Sequence, residues 1–189
     1  MEKLGDIIEA CKRNERKAQH ALYDLFFQPL MCIARKYKNN NEDAAALVNE
    51  AFFKVFTQLD KYKPEIEFEY WIKRITINTI IDDFRKHKKI KEFEAKIDDL
   101  SLKSAGSLNQ EIYNNAEKDL QAKDILKLIE DLDENERIVF NLFEIEGMHH
   151  EEIAKHLMVS ERTSKRYLNQ ARETLKDKIT RLFSTSKTY

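Results

Sequence analysis

Glu151-Glu152-Ile153-Ala154-Lys155-His156-Leu157-Met158-Val159-Ser160-Glu161-Arg162-Thr163-Ser164-Lys165-Arg166-Tyr167-Leu168 reads as two short helices joined by a tight turn. Ile153, Ala154 and Leu157 make one apolar face, and the small Ala154 lets a second helix approach closely. Val159 plugs the turn. Ser160 is a good N-cap for the second helix, whose core stripe continues through Leu168, Ala171 and Leu175. The opposite face offers Arg162, Thr163, Lys165, Arg166, Asn169 and Arg172, with Ser160 at its start. Residues 160–181 hold seven Lys and Arg against three Asp and Glu. An isolated run of this kind is usually a solvated face. Behind a capped, turn-plugged helix pair it suits phosphates and base edges in a DNA major groove.

Upstream of this pair, Ile138, Val139, Leu142 and Phe143 form one helical stripe, and Ile125, Leu128, Ile129 and Leu132 form another. Gly147 fits a helix C-cap, a position that usually needs positive φ. Residues 119–183 therefore read as a four-helix domain containing a helix-turn-helix, followed by a tail at 184–189. Between 93 and 118 the periodicity weakens, and Ser101, Ser104, Gly106, Ser107, Asn109, Asn114 and Asn115 accumulate, as in a flexible linker. Residues 1–92 form a first helical domain. Its surest helix spans 42–59, with Leu47, Val48, Ala51, Phe52, Val55, Phe56 and Leu59 on one stripe, and Asn41 is placed to cap it. Pro29 is expected to end one helix and begin another. The segment 60–67 contains Pro64 and reads as a loop, and a long helix runs from about Phe68 to Lys88.

The expected fold class is all-α, two small helical domains on a loose tether. Composition agrees: 3 Gly and 2 Pro in 189 residues leave little turn chemistry for many short strands. The net charge of −1 does not by itself suggest nucleic-acid binding, but its distribution is uneven. Residues 1–92 carry 18 basic and 15 acidic side chains, residues 93–118 carry 3 and 5, and residues 119–189 carry 12 and 14. Cationic surfaces must be local. Cys11 and Cys32 lie in apolar helical contexts and read as small core residues. No run approaches the roughly 18 apolar residues of a membrane span, and no signal peptide is evident, so a cytoplasmic protein is expected. His150-Glu151-Glu152-Ile153-Ala154 opens like a zinc protease motif, but Ala154 stands where the second histidine belongs. No enzyme, metal or cofactor is expected.

The helix opened by Phe68-Glu69-Tyr70-Trp71-Ile72-Lys73-Arg74 ends in Arg85-Lys86-His87-Lys88-Lys89-Ile90-Lys91, where five of seven residues are basic and none is acidic. Such a cluster holds a duplex backbone, with binding that weakens steeply in salt. Aromatic side chains beside it stack on unpaired bases. Trp71 also reads as a core residue, and both readings stand together if one ring face is packed.

These segments resemble the extracytoplasmic-function group of the sigma-70 family. Glu42-Asp43-Ala44-Ala45-Ala46-Leu47-Val48-Asn49-Glu50-Ala51-Phe52 looks like the family's polymerase-binding helix. The resemblance implies contact with core RNA polymerase through Asp43, Leu47, Asn49, Glu50 and Phe52. The stretch from Trp71 to Arg85 is similar to the promoter-melting helix. There the resemblance implies that Lys63, Trp71, Lys73 and Asn78 receive the −10 element, with a base flipped from the stack, while Arg85, Lys86 and Lys88 hold the upstream duplex. Residues 132–175 resemble the −35-reading domain, with Ser160, Arg162, Thr163, Lys165, Arg166, Asn169 and Arg172 at the DNA. Promoter DNA, core polymerase and an anti-sigma or other regulatory protein are the implied partners.

Several positions depart from the family pattern. Ala46 stands for an acidic residue, Asn49 for glutamine, Met158 for the turn glycine and Ser164 for an apolar core residue. The loop Lys63-Pro64-Glu65-Ile66-Glu67 is more acidic and lacks the common small residues. The competing reading is a helix-turn-helix regulator or adaptor that recruits no polymerase. The first domain discriminates between them, because a dimeric repressor needs a self-association surface and has no use for a promoter-melting helix.

Overall fold

The computed structural model describes residues 4–38, 40–98 and 122–185. Most of the expected linker and the end of the tail lie outside them. Among the described residues all regular structure is helical: α1 Leu4–Lys12, α2 Arg16–Ala34, α3 Asn41–Gln58, α4 Phe68–Asp98, α5 Ala122–Glu130, α6 Glu134–Phe140, α7 His150–Leu157 and α8 Glu161–Thr185. A 3₁₀ turn, Leu59–Lys61, closes α3, and a π turn, Asn141–Ile145, follows α6. The chain divides into two compact units, Met1–Asp83 and Phe84–Tyr189, a division that falls inside α4. The helix itself continues to Asp98, through the first residues of the expected linker.

The first unit packs α1, α2, α3 and the opening of α4 around Ile8, Leu22, Phe26, Leu30, Val48, Phe52, Val55, Phe68 and Ile72. Each such side chain, taken from water to the core, contributes roughly 1.5–3 kcal/mol. Two ion pairs join α4 to its neighbours: Lys38 Nζ to Asp83 Oδ2 at 2.6 Å, and Lys54 Nζ to Asp82 Oδ2 at 3.1 Å. Thr76 and Thr79 are buried in α4 without orphaned hydroxyls, because each donates back to the carbonyl four residues earlier.

Three local expectations are corrected. Helix α2 runs unbroken through Pro29. Leu25 and Pro29 are both exposed, so the carbonyl that loses its helical donor lies on the solvent side, while Phe26 and Leu30 anchor the chain on either side of the break. The cap of α3 is Asn40, one residue earlier than expected: its side chain accepts from the Asp43 N–H at 2.7 Å, and Asn41 is already helical. Cys11 is buried as expected, but Cys32 is exposed.

In the second unit, Ile138, Val139, Leu142, Ile153, Leu157, Leu168 and Ala171 are buried, and α8 packs against α6 and α7. Asp133 caps α6 by accepting from the Asn135 N–H at 2.9 Å. The buried Arg137 donates to the Glu130 carbonyl, tying α6 to the end of α5. Gly147 ends the π turn at φ 71°, in the left-handed region expected for it. Met158 also adopts that region, at φ 54° and ψ 44°, where it ends α7.

Candidate nucleic-acid and polymerase interfaces

Helix α3 separates its residues by face. Ala44, Leu47, Val48, Ala51, Phe52 and Val55 are buried, and Ala46, Asn49, Glu50 and Phe53 are exposed. Leu47 and Phe52 therefore lie in the core of this unit. Phe52 is 2% exposed and lies between Tyr23, tilted to it at 4.6 Å, and Phe56, stacked on it at 6.0 Å between centroids. Its neighbour Phe53 is 69% exposed, a large apolar ring in water beside Glu50 and Asn49. The stretch Phe52-Phe53 thus offers two rings on opposite faces of α3, one in the core and one in water. Asn49 is held in place, its Oδ1 accepting from the Tyr23 hydroxyl at 2.9 Å. Glu50 pairs with Lys54 at 3.3 Å. Asp43 is engaged at the helix start, where its carboxylate accepts from the Asn40 amide at 2.9 Å.

The loop before α4 is built on an aromatic base. Tyr62, Phe68 and Trp71 lie with centroids 5.1–5.5 Å apart. The Tyr62 hydroxyl donates to the Ile66 carbonyl at 2.8 Å, and the Ile66 N–H bonds the Lys63 carbonyl at 3.1 Å. Lys63-Pro64-Glu65-Ile66 is thus a β-turn with proline at its favoured second position, presenting an exposed Lys63. Trp71 is half-buried: it packs on Tyr62 and Phe68, as its core reading expects, and part of the residue stays accessible. Lys73 is half-buried and Asn78 exposed. Tyr70, Arg74 and Asn78 fall at i, i+4 and i+8 on one exposed stripe. Tyr70 and Arg74 were not among the expected site residues, but they share this exposed stripe with Asn78. Farther along α4, Lys86 is exposed while Arg85 and Lys88 are half-buried.

In the second unit, Ser160 is the N-cap foreseen: its Oγ accepts from the Thr163 N–H at 3.0 Å and shares a hydrogen bond with the Thr163 hydroxyl at 2.7 Å. Arg162, Lys165, Arg166 and Asn169 are exposed along the first half of α8. Lys165 pairs with Glu161 at 2.6 Å, and the Arg166 guanidinium lies 5.3 Å from the Tyr167 ring centre. Arg172 is exposed too, and it also reaches the π turn: its Nε donates to Glu144 Oε1 at 3.0 Å, and its guanidinium lies 5.9 Å from the Phe143 ring centre. Ser164, a polar residue at a core position, is fully buried against α7, with its Oγ 2.9 Å from His150 Nδ1. The His150 ring stacks on Phe143 with centroids 4.5 Å apart. Its pKa is pushed down, first by desolvation and then by Lys165, with Glu161 opposing.

Residues 22–90 match the family model described as Sigma-70 region 2, and residues 122–175 match that described as Sigma-70, region 4. The chain is 32% identical over 148 residues to the ECF RNA polymerase sigma factor SigE of Mycolicibacterium smegmatis; the match takes in 77% of this chain and 55% of the relative's length. It is 25% identical over 190 residues to the ECF RNA polymerase sigma-E factor of Escherichia coli, covering 94% of this chain and 96% of the relative. The fold is similar to that of the sigma factor RpoE from Bartonella quintana, solved in complex with the anti-sigma factor NepR, with TM-score 0.51 and 17% identity over 85% of this chain and 96% of that one.

Proposed function

This chain belongs to the extracytoplasmic-function group of the sigma-70 family, and we propose on that premise how its residues divide the work of transcription initiation. A sigma factor directs core RNA polymerase to promoters, and both parts needed for that, region 2 followed by region 4, are present in order. That order is the observation that carries the reading. A helix-turn-helix regulator has no use for the first lobe.

The polymerase contact is assigned to the exposed stripe of α3, Asn49, Glu50 and Phe53, with Asp43 at its start. An exposed aromatic ring ringed by polar groups is the usual form of a protein-interface anchor. Lys63, Tyr70, Trp71, Lys73, Arg74 and Asn78 form the −10 surface: aromatic faces for unstacked bases and cations for the phosphates beside them. Arg85, Lys86 and Lys88 hold duplex. The first half of α8 enters the major groove at −35, where Arg162, Lys165, Arg166 and Asn169 reach base edges and phosphates, and Ser160, Thr163 and Arg172 hold the helix in shape. Phosphodiester chemistry stays with the polymerase, so no cofactor or catalytic residue is assigned here. The work is placed in the cytoplasm, and among the described residues no helix is long and apolar enough to cross a membrane. An anti-sigma protein is a further proposed partner, by analogy with the complex in which the Bartonella quintana factor was solved.

The test is reconstitution with core polymerase and run-off transcription. Phe53→Ala is expected to keep the thermal midpoint and weaken polymerase binding at least tenfold, as loss of an interface anchor does. Phe52→Ala is expected to cost about 3–5 kcal/mol of folding stability, as core Phe→Ala changes do. Unchanged polymerase affinity in Phe53→Ala would remove α3 from the docking surface, and failure of the wild-type chain to support initiation at any promoter would remove the whole reading.

A further inference from the structure

Helix α8 is seated on the rest of its domain by a stripe at i, i+4 and i+7: Ser164, Leu168 and Ala171, all buried. Leu168 and Ala171 contribute burial, and burial is non-directional: a helix on an apolar seat turns by a few degrees at little cost. Ser164 is different. It is 0% exposed, and its hydroxyl faces a ring nitrogen of His150, the first residue of α7, at 2.9 Å. His150 is itself fixed by its stack on Phe143 in the π turn, at 4.5 Å and 23°. Eight residues farther along α8, Arg172 is held to the same π turn through Glu144. Two directional contacts, two turns apart, therefore pin α8 to one segment, and the exposed Arg162, Lys165, Arg166 and Asn169 lie at or near the first of them.

The magnitudes make the orientation matter. A helix with its side chains has a radius of roughly 5–6 Å, so a rotation of about 10° moves a surface atom about 1 Å. Hydrogen bonds to base edges are made within a window of about 2.7–3.2 Å. A rotation that leaves packing almost untouched is enough to misplace a bidentate base contact.

We propose that His150 and Ser164 are positioning residues for promoter recognition, their hydrogen bond fixing the rotation of α8 and so the bases that its exposed side chains read. The inference rests on the assignment of α8 as the −35 reader. It explains why a hydroxyl occupies a core position: a purely apolar seat also packs α8 but leaves its rotation to the directional Arg172–Glu144 contact two turns away. Polar groups buried for specificity rather than stability are an attested use.

The test uses holoenzyme reconstituted with the full chain and a promoter pool randomised at −35, read by sequencing the transcripts, with circular dichroism melting on each variant. Ser164→Val removes the hydroxyl and keeps an apolar seat. His150→Phe keeps the ring stack and removes the nitrogen, while His150→Asn places an amide where Nδ1 was. The expected result is a change of about fivefold in preference at one or more −35 positions for Ser164→Val and His150→Phe, the weight of one net hydrogen bond. The double variant should do no more than either single one, and His150→Asn should keep the wild-type order of preference. Wild-type preferences in both Ser164→Val and His150→Phe would overturn the proposal, as would a loss that is uniform over all −35 sequences and tracks the melting temperature. A wild-type chain that shows no −35 preference at all would overturn the reader assignment, and the proposal with it. Should Ser164→Val fail to fold, the His150→Phe and His150→Asn pair decides alone.

Discussion

Met158 ends α7 in the left-handed region, where a side chain costs roughly 1–2 kcal/mol. Its side chain is 66% exposed, so packing does not repay that cost. What keeps the turn is the structure on either side: the Val159 N–H bonds the Ala154 carbonyl at 3.1 Å, and Ser160 caps α8 immediately after. From the sequence the turn at Met158 could be either strained or differently shaped; the structure keeps the left-handed turn and bears the strain. The His150–Ser164 contact was not legible, because fourteen residues separate the partners and nothing local aims one at the other. It carries a pH consequence. Desolvation lowers the pKa of His150; Lys165 and Arg172 on α8 act in the same direction, and Glu161 opposes them. An unfolded histidine titrates near about 6.5. The folded value lies below that, so above pH 6.5 neither state holds the proton and the stability linked to His150 is fully present. As the pH falls through 6.5 the unfolded chain takes the proton first, and that stability is lost until the lower, folded value is passed. Denaturant unfolding at pH 7.5 and 5.5 is expected to show a larger fall for wild type than for His150→Phe; equal falls would mean that His150 is not desolvated.

At the scale of elements, α2 shows where local rules give way. Proline inside a helix removes a hydrogen bond and is usually costed at about 3 kcal/mol, which is why the sequence alone predicts two helices. The missing bond falls on the solvent side, between exposed residues, while buried side chains before and after Pro29 hold the chain in one line. Pro29→Ala restores the donor to the Leu25 carbonyl and removes no core contact. Part of the gain is returned because the unfolded chain becomes more flexible. A net stabilisation of about 1–2 kcal/mol is expected in urea unfolding, and a destabilised variant would show that the proline shapes α2 in a way its neighbours need. Helix α3 carries the complementary lesson. Its periodicity identified the buried stripe, but the docking residues inferred by resemblance mixed both faces. Leu47 and Phe52 belong to the core, and Phe53 to the surface.

Across the whole molecule, a chain of net charge −1 binds a polyanion only through local arrangement. Cations outnumber acidic residues in the stretch 85–91 of α4 and along the first half of α8. Removing one cation from a phosphate should lower the slope of log affinity against log salt by about 0.9. Lys86→Ala and Arg162→Ala in the holoenzyme are each expected to flatten that slope for promoter binding, read by titration at several salt concentrations; an unchanged slope would mean that the replaced cation meets no phosphate. The sequence by itself determined the helical class, the two lobes, the helix-turn-helix with its Ser160 cap, and the left-handed turn at Gly147. These follow from periodicity and short-range backbone sterics, which involve residues within a turn or two of one another. Only the tertiary structure decided which ring of Phe52-Phe53 faces water, that α2 passes through Pro29, that Arg172 pairs with Glu144, and that Ser164 meets His150. Each of these depends on what lies across the core, where the energy of burial and of a buried hydrogen bond is settled by partners far away in the chain.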